Sequence, residues 1–291
     1  MQRCFETTMR TFHLTSPSSE KALLKRISFS SGPIEHSRRW TAVLLLGVLS
    51  WPRCGMADSF SLGELLNDTK LYYTAPLRWD AQDWLYFGAA LTAIGAAHEF
   101  DSRVRTHFVN PKDPLNGADK NSVRDAAPAF ALIVGTGLYA LAIDDRDGYR
   151  ETWSLLEAGV FSATTGEILS LAAGRERPDA TTSPNMWRHG GDSFPSVHVS
   201  AAFAIGTVFA ESGNDEYRWI RRIIGYGIAT GTAYIRVREN VHWLSDTVAG
   251  TALGIATARF VLNRQGGEQR AAFQFQPVKD GWQIAYDVRF P

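Results

Sequence analysis

The chain has 291 residues, of which 45 % are hydrophobic and 21 % charged, values that are ordinary for a globular protein. The net charge is zero, but residues 1–57 hold eight of the 30 Lys and Arg and three of the 30 Asp and Glu, so the remainder is mildly acidic. The sequence also lacks a Lys/Arg-rich stripe and an aromatic RNA-binding signature, and it therefore argues against nonspecific nucleic-acid binding.

The first 57 residues have the layout of a leader that ends in a secretory signal peptide. Arg38 and Arg39 precede an apolar run at 41–51, and the Gly-Met-Ala sequence at 55–57 supplies small residues for cleavage. The run is about eleven residues long, whereas a membrane-spanning helix needs roughly 20. An uncleaved membrane anchor is the alternative. We therefore expect a leader and signal peptide over 1–57 and an exported protein.

Both cysteines, Cys4 and Cys54, precede the expected cleavage site. The mature chain would then contain no thiol, which excludes a disulfide framework, a cysteine nucleophile and thiolate metal sites. A chain of this length can bury a core large enough to need no disulfide.

From residue 84 onward, apolar segments alternate with short polar joints, and none shows the sustained alternation of a strand. The segments are rich in Ala, Gly, Leu and Ile, which favours close packing of helices. The helices predicted in this way cover 84–97, 126–143, 154–173, 199–210, 223–235 and 247–262. The sequence thus predicts an all-α six-helix bundle over 84–265, preceded by an N-terminal segment over 58–83.

These helices are short for membrane spans, and several carry charged residues such as Glu157, Glu167 and Arg259. If export leaves residue 58 outside, three spans would return the chain to the cytoplasm by about residue 174. An exported active site beyond that point requires that at least one segment does not span. We expect a periplasmic bundle, soluble or membrane-attached, and the alternative is an integral inner-membrane protein with a periplasmic active site.

The last segment, 266–291, has a different pattern. Apolar and polar residues alternate on both sides of Lys279-Asp280-Gly281, which is typical of two strands joined by an Asp-Gly turn. An isolated hairpin is marginally stable in water, so we expect its apolar face to pack on the bundle. The sequence predicts a short C-terminal β-hairpin.

His242 and Asp246 are four residues apart, so on a helix they share one face. A carboxylate at one imidazole nitrogen fixes the tautomer and leaves the other nitrogen free for nucleophilic attack. Seen alone, the pair is more typical of a solvated i, i+4 contact, and Arg236, six residues earlier, of an ordinary surface arginine.

Two further polar clusters stand at predicted helix ends. Ser196 and His198 follow Pro195 at a helix start, where serine caps the helix and backbone N–H groups can bind an anion. Arg177-Pro178 closes the preceding helix with a side chain suited to bidentate phosphate contact. Capping and surface charge explain each cluster alone. Together the clusters supply a nucleophile, an orienting acid, a proton donor and cations, which is the set that phosphoryl transfer needs.

The combined spacing resembles the PAP2 superfamily, which contains type 2 phosphatidic acid phosphatases, bacterial class A acid phosphatases and vanadium haloperoxidases. The matching residues are Arg177-Pro178, Pro195-Ser196-x-His198 and Arg236-x5-His242-x3-Asp246. The motifs cover about 170–246, and the helical segments fit the bundle of that family.

The resemblance implies that His242 attacks phosphorus to form a phosphohistidine, that Asp246 orients it and that His198 protonates the leaving group. It implies a phosphate-binding set made of Arg177, Arg236, Ser196 and the backbone N–H near Val197. It implies no metal and no other cofactor.

Three positions depart from the pattern of the family. Ser170 stands where the family has a lysine, and no lysine lies between Lys120 and Lys279. Losing the cation of that lysine would cost roughly a few kcal/mol of transition-state stabilisation. Arg175 is a candidate to replace it. Val197 replaces a glycine, and its Cβ would narrow the approach of the backbone to phosphate. Ile235 replaces a serine.

The sequence therefore predicts an exported, metal-independent phosphatase that acts on a phosphomonoester or a lipid (pyro)phosphate. Its expected partner is that phosphorylated lipid or small phosphomonoester, with membrane contact and without nucleic acid. The alternatives are a non-catalytic PAP2-fold binding or structural protein, which Ser170 and Val197 suggest, and a vanadate-dependent haloperoxidase.

Overall fold

The computed structural model describes residues 62–109, 123–213, 215–265, 272–278 and 281–287. The leader and signal peptide expected over 1–57 lie outside the described residues. The described ranges contain seven α-helices, namely α1 Leu62–Tyr73, α2 Ala81–Phe108, α3 Val123–Ile143, α4 Arg146–Ala173, α5 Val197–Glu211, α6 Arg218–Arg238 and α7 Leu244–Gln265. Short 3₁₀ turns occupy Ala75–Arg78 and Asp215–Tyr217.

Each of the six predicted segments lies inside one of the helices α2 to α7, and the part of the chain described is all-helical up to residue 265. The helix α1 is additional, because it falls in the segment 58–83 for which no helix was predicted. Asn67, Asp68 and Lys70 interrupt its apolar positions, so its helical periodicity is weak.

Helix α2 is the largest departure from the predicted boundaries. Its start is fixed by a capping box in which the backbone N–H of Asp83 donates to Asp80 Oδ1 at 2.8 Å and that of Asp80 donates to Asp83 Oδ2 at 3.2 Å. The helix continues to Phe108 although the apolar pattern ends near residue 97. Tertiary contacts support this polar extension, since Asp101 is buried and Arg105 Nε donates to the Pro178 carbonyl at 3.0 Å.

Helix α5 lies at the centre of the bundle and packs against α4, α6 and α7. Its core side chains include Val199, Ile205 and Val208, all of which are buried. The crossing of α5 and α6 is close because Gly206 faces Gly225, and a Cβ on either residue would overlap the carbonyl oxygen of the other. The two backbones therefore touch at this point.

Several helices present large apolar side chains to the outside. The described residues contain one helix long and apolar enough to cross a membrane, Arg124–Ile143 in α3, and 28 % of its most apolar window is buried. Exposed apolar residues occur on α2, α3, α4 and α6, and examples are Trp84, Leu85, Leu138, Leu141, Leu171, Trp219 and Ile223.

Two strands follow the bundle, β1 Ala272–Val278 and β2 Gly281–Asp287. They pair antiparallel, with Phe275 opposite Ile284 and Val278 opposite Gly281. The turn residues Lys279 and Asp280 lie outside the described part of the chain.

Candidate active site

Helix ends and loops bring the three sequence clusters to one end of the bundle. Helix α4 stops at Gly174, whose φ of 54° lies in the left-handed region. A Cβ at this position would come within 3.1 Å of the Arg188 Cα, so glycine also permits the close return of the loop. That loop leads to the start of α5. The first turn of α7 lies against it, because the backbone N–H of Ser196 donates to the Asp246 carbonyl at 3.1 Å.

His242 lies in the turn between α6 and α7 and is buried. Its Nδ1 is 2.8 Å from the carbonyl oxygen of Ser193. Because a carbonyl only accepts hydrogen bonds, Nδ1 carries the hydrogen and Nε2 keeps its lone pair. Burial and then the charges of Arg177 and Arg236 hold the pKa of His242 well below its ordinary value. The imidazole is therefore neutral at pH 7, with Nε2 unprotonated.

Asp246 contacts His242 less directly than expected, because its Oδ2 lies 3.7 Å from Nδ1, beyond hydrogen-bond distance. Its carboxylate accepts from Ser193 Oγ at 2.5 Å, from the Trp243 backbone N–H at 2.8 Å and from Arg175 Nη1 at 2.5 Å. Ser193 links the two groups, since its hydroxyl bonds Asp246 and its carbonyl bonds His242. Burial raises the pKa of Asp246 to about 6 against the opposing effect of Arg175, so the carboxylate is ionised at neutral pH.

His198 lies in the first turn of α5 and is half-buried. Burial and then the charges of Arg236, His242 and Arg177 hold its pKa well below the ordinary value. The same charges act on both histidines, so these four side chains share one electrostatic environment. In that environment His198 is neutral at pH 7, and a bound anion would raise its pKa.

The two predicted phosphate-binding arginines are both buried and both paired with carboxylates. Arg177 makes a bidentate contact with Asp192, with Nε and Nη2 at 2.6 and 3.0 Å from the carboxylate oxygens. Arg236 Nη1 lies 2.7 Å from Asp125 Oδ2 and 3.4 Å from Glu239 Oε2. A phosphate group would have to share or replace these carboxylates.

Ser196 and Val197 stand at the start of α5. Ser196 precedes the first helical residue, but its hydroxyl makes no capping bond, and within the described residues its buried Oγ has no hydrogen-bond partner. Val197 packs against the core, and its Cγ2 would lie 3.2 Å from a Cβ on Gly166 of α4. Gly166 thus makes room for the side chain that replaces the glycine of the family.

Arg175 does not take the role of the family lysine that Ser170 replaces, because its guanidinium is bonded to Asp246 and Asp101. Besides Asp246 it contacts Ser245 Oγ at 2.8 Å and Asp101 Oδ2 at 2.7 Å, and it is fully buried. His98 joins the same cluster, with Nδ1 at 3.0 Å from Asp101 Oδ2. The guanidinium therefore holds Asp246 and the start of α7 in position.

The sequence motifs do not include four residues that bond the side chains of the site, namely Asp101, Asp125, Ser193 and Glu239. The His98-x2-Asp101 spacing was one available signal, because residues three apart share a helix face. His189, which lies in the loop before Asp192, is exposed.

Residues 151–270 match the family model described as the PAP2 superfamily. The match covers about two fifths of the chain and includes all three sequence motifs. Among curated proteins, a lipid A 1-phosphatase of Porphyromonas gingivalis is 37 % identical over 82 residues, which are 28 % of this chain and 16 % of that protein. A PA-phosphatase related-family protein of Dictyostelium discoideum is 27 % identical over 151 residues, 46 % of this chain and 56 % of that protein. The chain thus spans one sixth to just over half of the length of these relatives.

Two solved structures are similar to the chain. One is Aquifex aeolicus LpxE, at 19 % identity and a TM-score of 0.30, covering 51 % of this chain and 90 % of the other. The second is a transmembrane PAP2-type phosphatidylglycerolphosphate phosphatase from Bacillus subtilis, at 18 % identity and a TM-score of 0.37, covering 79 % and 98 %.

Proposed function

We propose that the chain is a metal-independent phosphatase that hydrolyses a phosphomonoester or a lipid (pyro)phosphate through a phosphohistidine intermediate. His242 is the nucleophile and His198 the proton donor. Asp246 positions His242 through Ser193, while the phosphate oxygens are bound by the side chains of Arg177, Arg236 and Ser196 and by the backbone N–H of Val197.

In the first step the His242 Nε2 lone pair forms a bond to phosphorus while the bond to the leaving oxygen breaks. His198, whose pKa rises when the phosphate brings negative charge beside it, donates a proton to that oxygen. Water then attacks the phosphohistidine, His198 takes a proton from it, and inorganic phosphate leaves. Arg177 and Arg236 compensate the charge on the equatorial oxygens in both steps.

The observation that carries the proposal is the state of His242. A buried imidazole held neutral, with Nδ1–H given to the Ser193 carbonyl, is prepared for attack through Nε2. Two buried arginines act on the same ring. A histidine with a purely structural role would not need this electrostatic setting.

The names of the curated relatives favour a phosphorylated lipid as substrate, and the exposed apolar surface of α2, α3 and α6 is compatible with access from a membrane. We further propose that residues 1–57 are a leader and signal peptide, that 84–265 form the phosphatase domain between the segment 58–83 and the tail 266–291, and that the domain is exported to the periplasm and attached to the membrane.

The test is phosphate release by the purified mature chain with EDTA present, on p-nitrophenyl phosphate and on phosphatidic acid in detergent. We expect turnover that EDTA does not inhibit and that His242→Ala lowers by at least about 10³-fold, since removing a covalent nucleophile removes its pathway. The exposed histidine His107 provides the matched control, because His107→Ala should retain activity.

Acid quenching of a reaction with ³²P-labelled substrate, followed by mild alkaline separation, should recover a labelled phosphohistidine from wild type and none from His242→Ala. Release that survives His242→Ala would contradict the proposal. Binding of phosphate analogues without turnover on either substrate would instead favour a non-catalytic role, attributed to Ser170 and Val197.

A further inference from the structure

A single nitrogen of Arg236 is shared by two carboxylates. Its Nη1 lies 2.7 Å from Asp125 Oδ2 and 3.4 Å from Glu239 Oε2, and all three side chains are buried. Glu239 is also in side-chain hydrogen-bond contact with Asp125. Because ionised carboxylates only accept hydrogen bonds, a bond between these two groups needs a proton on one of them. The pair can therefore hold a proton next to Arg236.

Carboxylates outnumber the buried cations of the candidate site. Within the described residues, the three buried arginines of the site contact five carboxylates, those of Asp101, Asp125, Asp192, Glu239 and Asp246. The exposed Arg124 adds a cation, with its Nη2 at 3.0 Å from Glu239 Oε1. A phosphate dianion would bring further negative charge to this set. Protonation of one of the carboxylates would therefore favour phosphate binding.

Glu239 is the member of the pair that is placed to take up this proton. Its contact with Arg236 is the longer of the two, so its protonation weakens the pairing of the guanidinium less than protonation of Asp125 would. Burial, and then the negative charge of Asp125, raises the pKa of Glu239 above its ordinary value. A groove of about 500 Å³ between α3 and α6 reaches this carboxyl group from the surface, and the side chain of Arg124 beside it is 66 % exposed.

The other charged and titratable groups around the pair come from several elements. They are Arg124 of α3, Arg236 and Arg238 of α6, Arg177 of the loop after α4, His198 of α5 and His242 of the turn before α7. The cations Arg236 and Arg124 favour the ionised form of Glu239. Phosphate at Arg236 would oppose them, since it places negative charge at the same guanidinium. The balance at Glu239 thus shifts towards the protonated form when phosphate binds.

We propose that Glu239 and Asp125 are positioning residues that couple phosphate binding at Arg236 to the uptake of a proton by Glu239. The phosphate takes the place of Glu239 at Arg236 Nη1. The protonated Glu239 then donates a hydrogen bond to the Asp125 carboxylate, which keeps its own contact with Arg236. When phosphate leaves, Glu239 returns the proton to solvent and pairs with Arg236 again. This inference rests on the proposed function and adds a proton-linked step to its phosphate-binding site.

The test is calorimetric titration of sulfate into the purified chain, in buffers of different ionisation enthalpy and at several pH values between about 5 and 8. Sulfate remains a dianion over this range, so a proton that is taken up on binding goes to the protein. The proteins compared are wild type, Glu239→Gln and Asp125→Asn. Glu216→Gln is the matched control, because it removes an exposed carboxylate that precedes α6, at the opposite end of this helix from Arg236.

At its maximum over this pH range, sulfate binding should take up about one proton more in wild type than in Glu239→Gln. The dissociation constant of wild type should rise with pH by up to about tenfold per pH unit, more steeply than that of Glu239→Gln. Asp125→Asn should lose the same uptake, because Glu239 without its negative neighbour stays ionised. Glu216→Gln should behave as wild type. Thermal unfolding followed by circular dichroism shows which variants are folded, and either of the two pair variants suffices for the comparison.

Proton uptake of equal size in wild type, Glu239→Gln and Asp125→Asn would overturn the coupling and assign the protons to His198. Weaker sulfate binding by Glu239→Gln at about pH 8 would also overturn it, because Glu239 would then order Arg236 rather than compete for it. The titration needs no turnover, so the two proposals fail separately. Glu239-dependent uptake without His242-dependent release of phosphate from p-nitrophenyl phosphate would contradict the proposed chemistry alone, and the reverse result would contradict the coupling alone.

Discussion

The Nδ1–H of His242 donates to the backbone carbonyl of Ser193. Asp246, the carboxylate of the motif, acts on the imidazole indirectly, through Ser193. Ser193 transmits the position of Asp246 to the imidazole because its two oxygens bond the two side chains. The Asp246 carboxylate in turn depends on Arg175, which is anchored by Asp101 of α2. The orientation of the His242 imidazole therefore depends on a buried hydrogen-bonded network rather than on a single residue.

Ser193→Ala should lower kcat by about 10- to 100-fold and leave KM nearly unchanged, because the nucleophile loses orientation while the phosphate-binding groups stay. Steady-state kinetics on p-nitrophenyl phosphate measures both constants. Ser193→Thr keeps a hydroxyl for Asp246 and should recover most of the rate. Equal losses in both variants would contradict a role for this hydroxyl.

The pH dependence follows from the two lowered histidine pKa values. In the proposed mechanism His242 attacks only above its pKa and His198 donates a proton only below its own, and both pKa values lie well below the ordinary 6.5 in the free enzyme. Because the His198 pKa lies well below 6.5, we expect kcat/KM to fall as pH rises from 6.5 to about 8, after correction for the second ionisation of the substrate near pH 6. The kcat profile should lie at higher pH, since bound phosphate raises both pKa values. A kcat/KM that rises through pH 7 would contradict this assignment.

Asp192 occupies the guanidinium fork of Arg177 with the bidentate geometry that a phosphate would use. Asp192→Asn should therefore lower the inhibition constant of inorganic phosphate several-fold. Competitive inhibition kinetics is the measurement, and Asp147→Asn, which removes a surface partner of Arg150, is the control that should change nothing. Weaker phosphate inhibition in Asp192→Asn would mean that Asp192 orders Arg177 rather than competing for it.

The residues named by the sequence motifs are brought to one end of the bundle, because their spacing places them at helix ends. The residues that support them could not be found in this way. Ser245 and Asp101 are 144 positions apart in the chain, and no local pattern relates them. Likewise no local sequence pattern predicts the ion pair between Asp125 and Arg236.

At the level of helices, close crossing of small residues sets the position of α5, from which Ser196, Val197 and His198 begin. Gly254 of α7 approaches the Ser200 carbonyl of α5 as closely as Gly206 approaches Gly225 of α6. The apolar segments located the helices α2 to α7, although α2 and α3 leave most of their apolar residues exposed. The apolar pattern missed α1 and the second half of α2, where tertiary contacts of polar residues such as Asp101 stabilise the helix instead.

Gly206→Ala should destabilise the fold by about 1–3 kcal/mol, because its methyl group would overlap the Gly225 carbonyl and force the two helices apart. Gly227→Ala on the same helix as Gly225 is the control, since that site is open. It should be neutral or stabilising by up to about 1 kcal/mol. Denaturant unfolding followed by circular dichroism measures both. Equal stability of the two variants would contradict the close crossing.

On the scale of the whole molecule, exposed apolar side chains lie on several helices, including Leu85 of α2, Leu138 of α3, Leu171 of α4 and Ile223 of α6. This distribution exceeds the scattered apolar residues of an ordinary soluble surface and favours contact with lipid. The sequence predicted helices that are short for membrane spans. In the structure α2 and α4 have 28 residues each, because both extend beyond their apolar segments.

We therefore expect the purified chain to partition into the detergent-rich phase on phase separation of a non-ionic detergent, with a soluble protein of similar size as the aqueous control. Leu138→Glu/Leu141→Glu should shift part of the protein to the aqueous phase, because both leucines are exposed on α3. Recovery of the wild type in the aqueous phase as a monodisperse species would contradict lipid contact.

The buried arginines also define how much of the chain is needed for a working fragment. A fragment limited to the family-matched residues 151–270 would contain all three motifs, yet it would lack Asp101 and Asp125. Arg175 would lose one of its two carboxylate partners, and Arg236 the nearer of its two. Removing one partner of a buried ion pair costs about 3–5 kcal/mol. The smallest autonomous unit must therefore begin before α2, well upstream of the first motif, although the family resemblance alone would place the boundary some fifty residues later than Asp101.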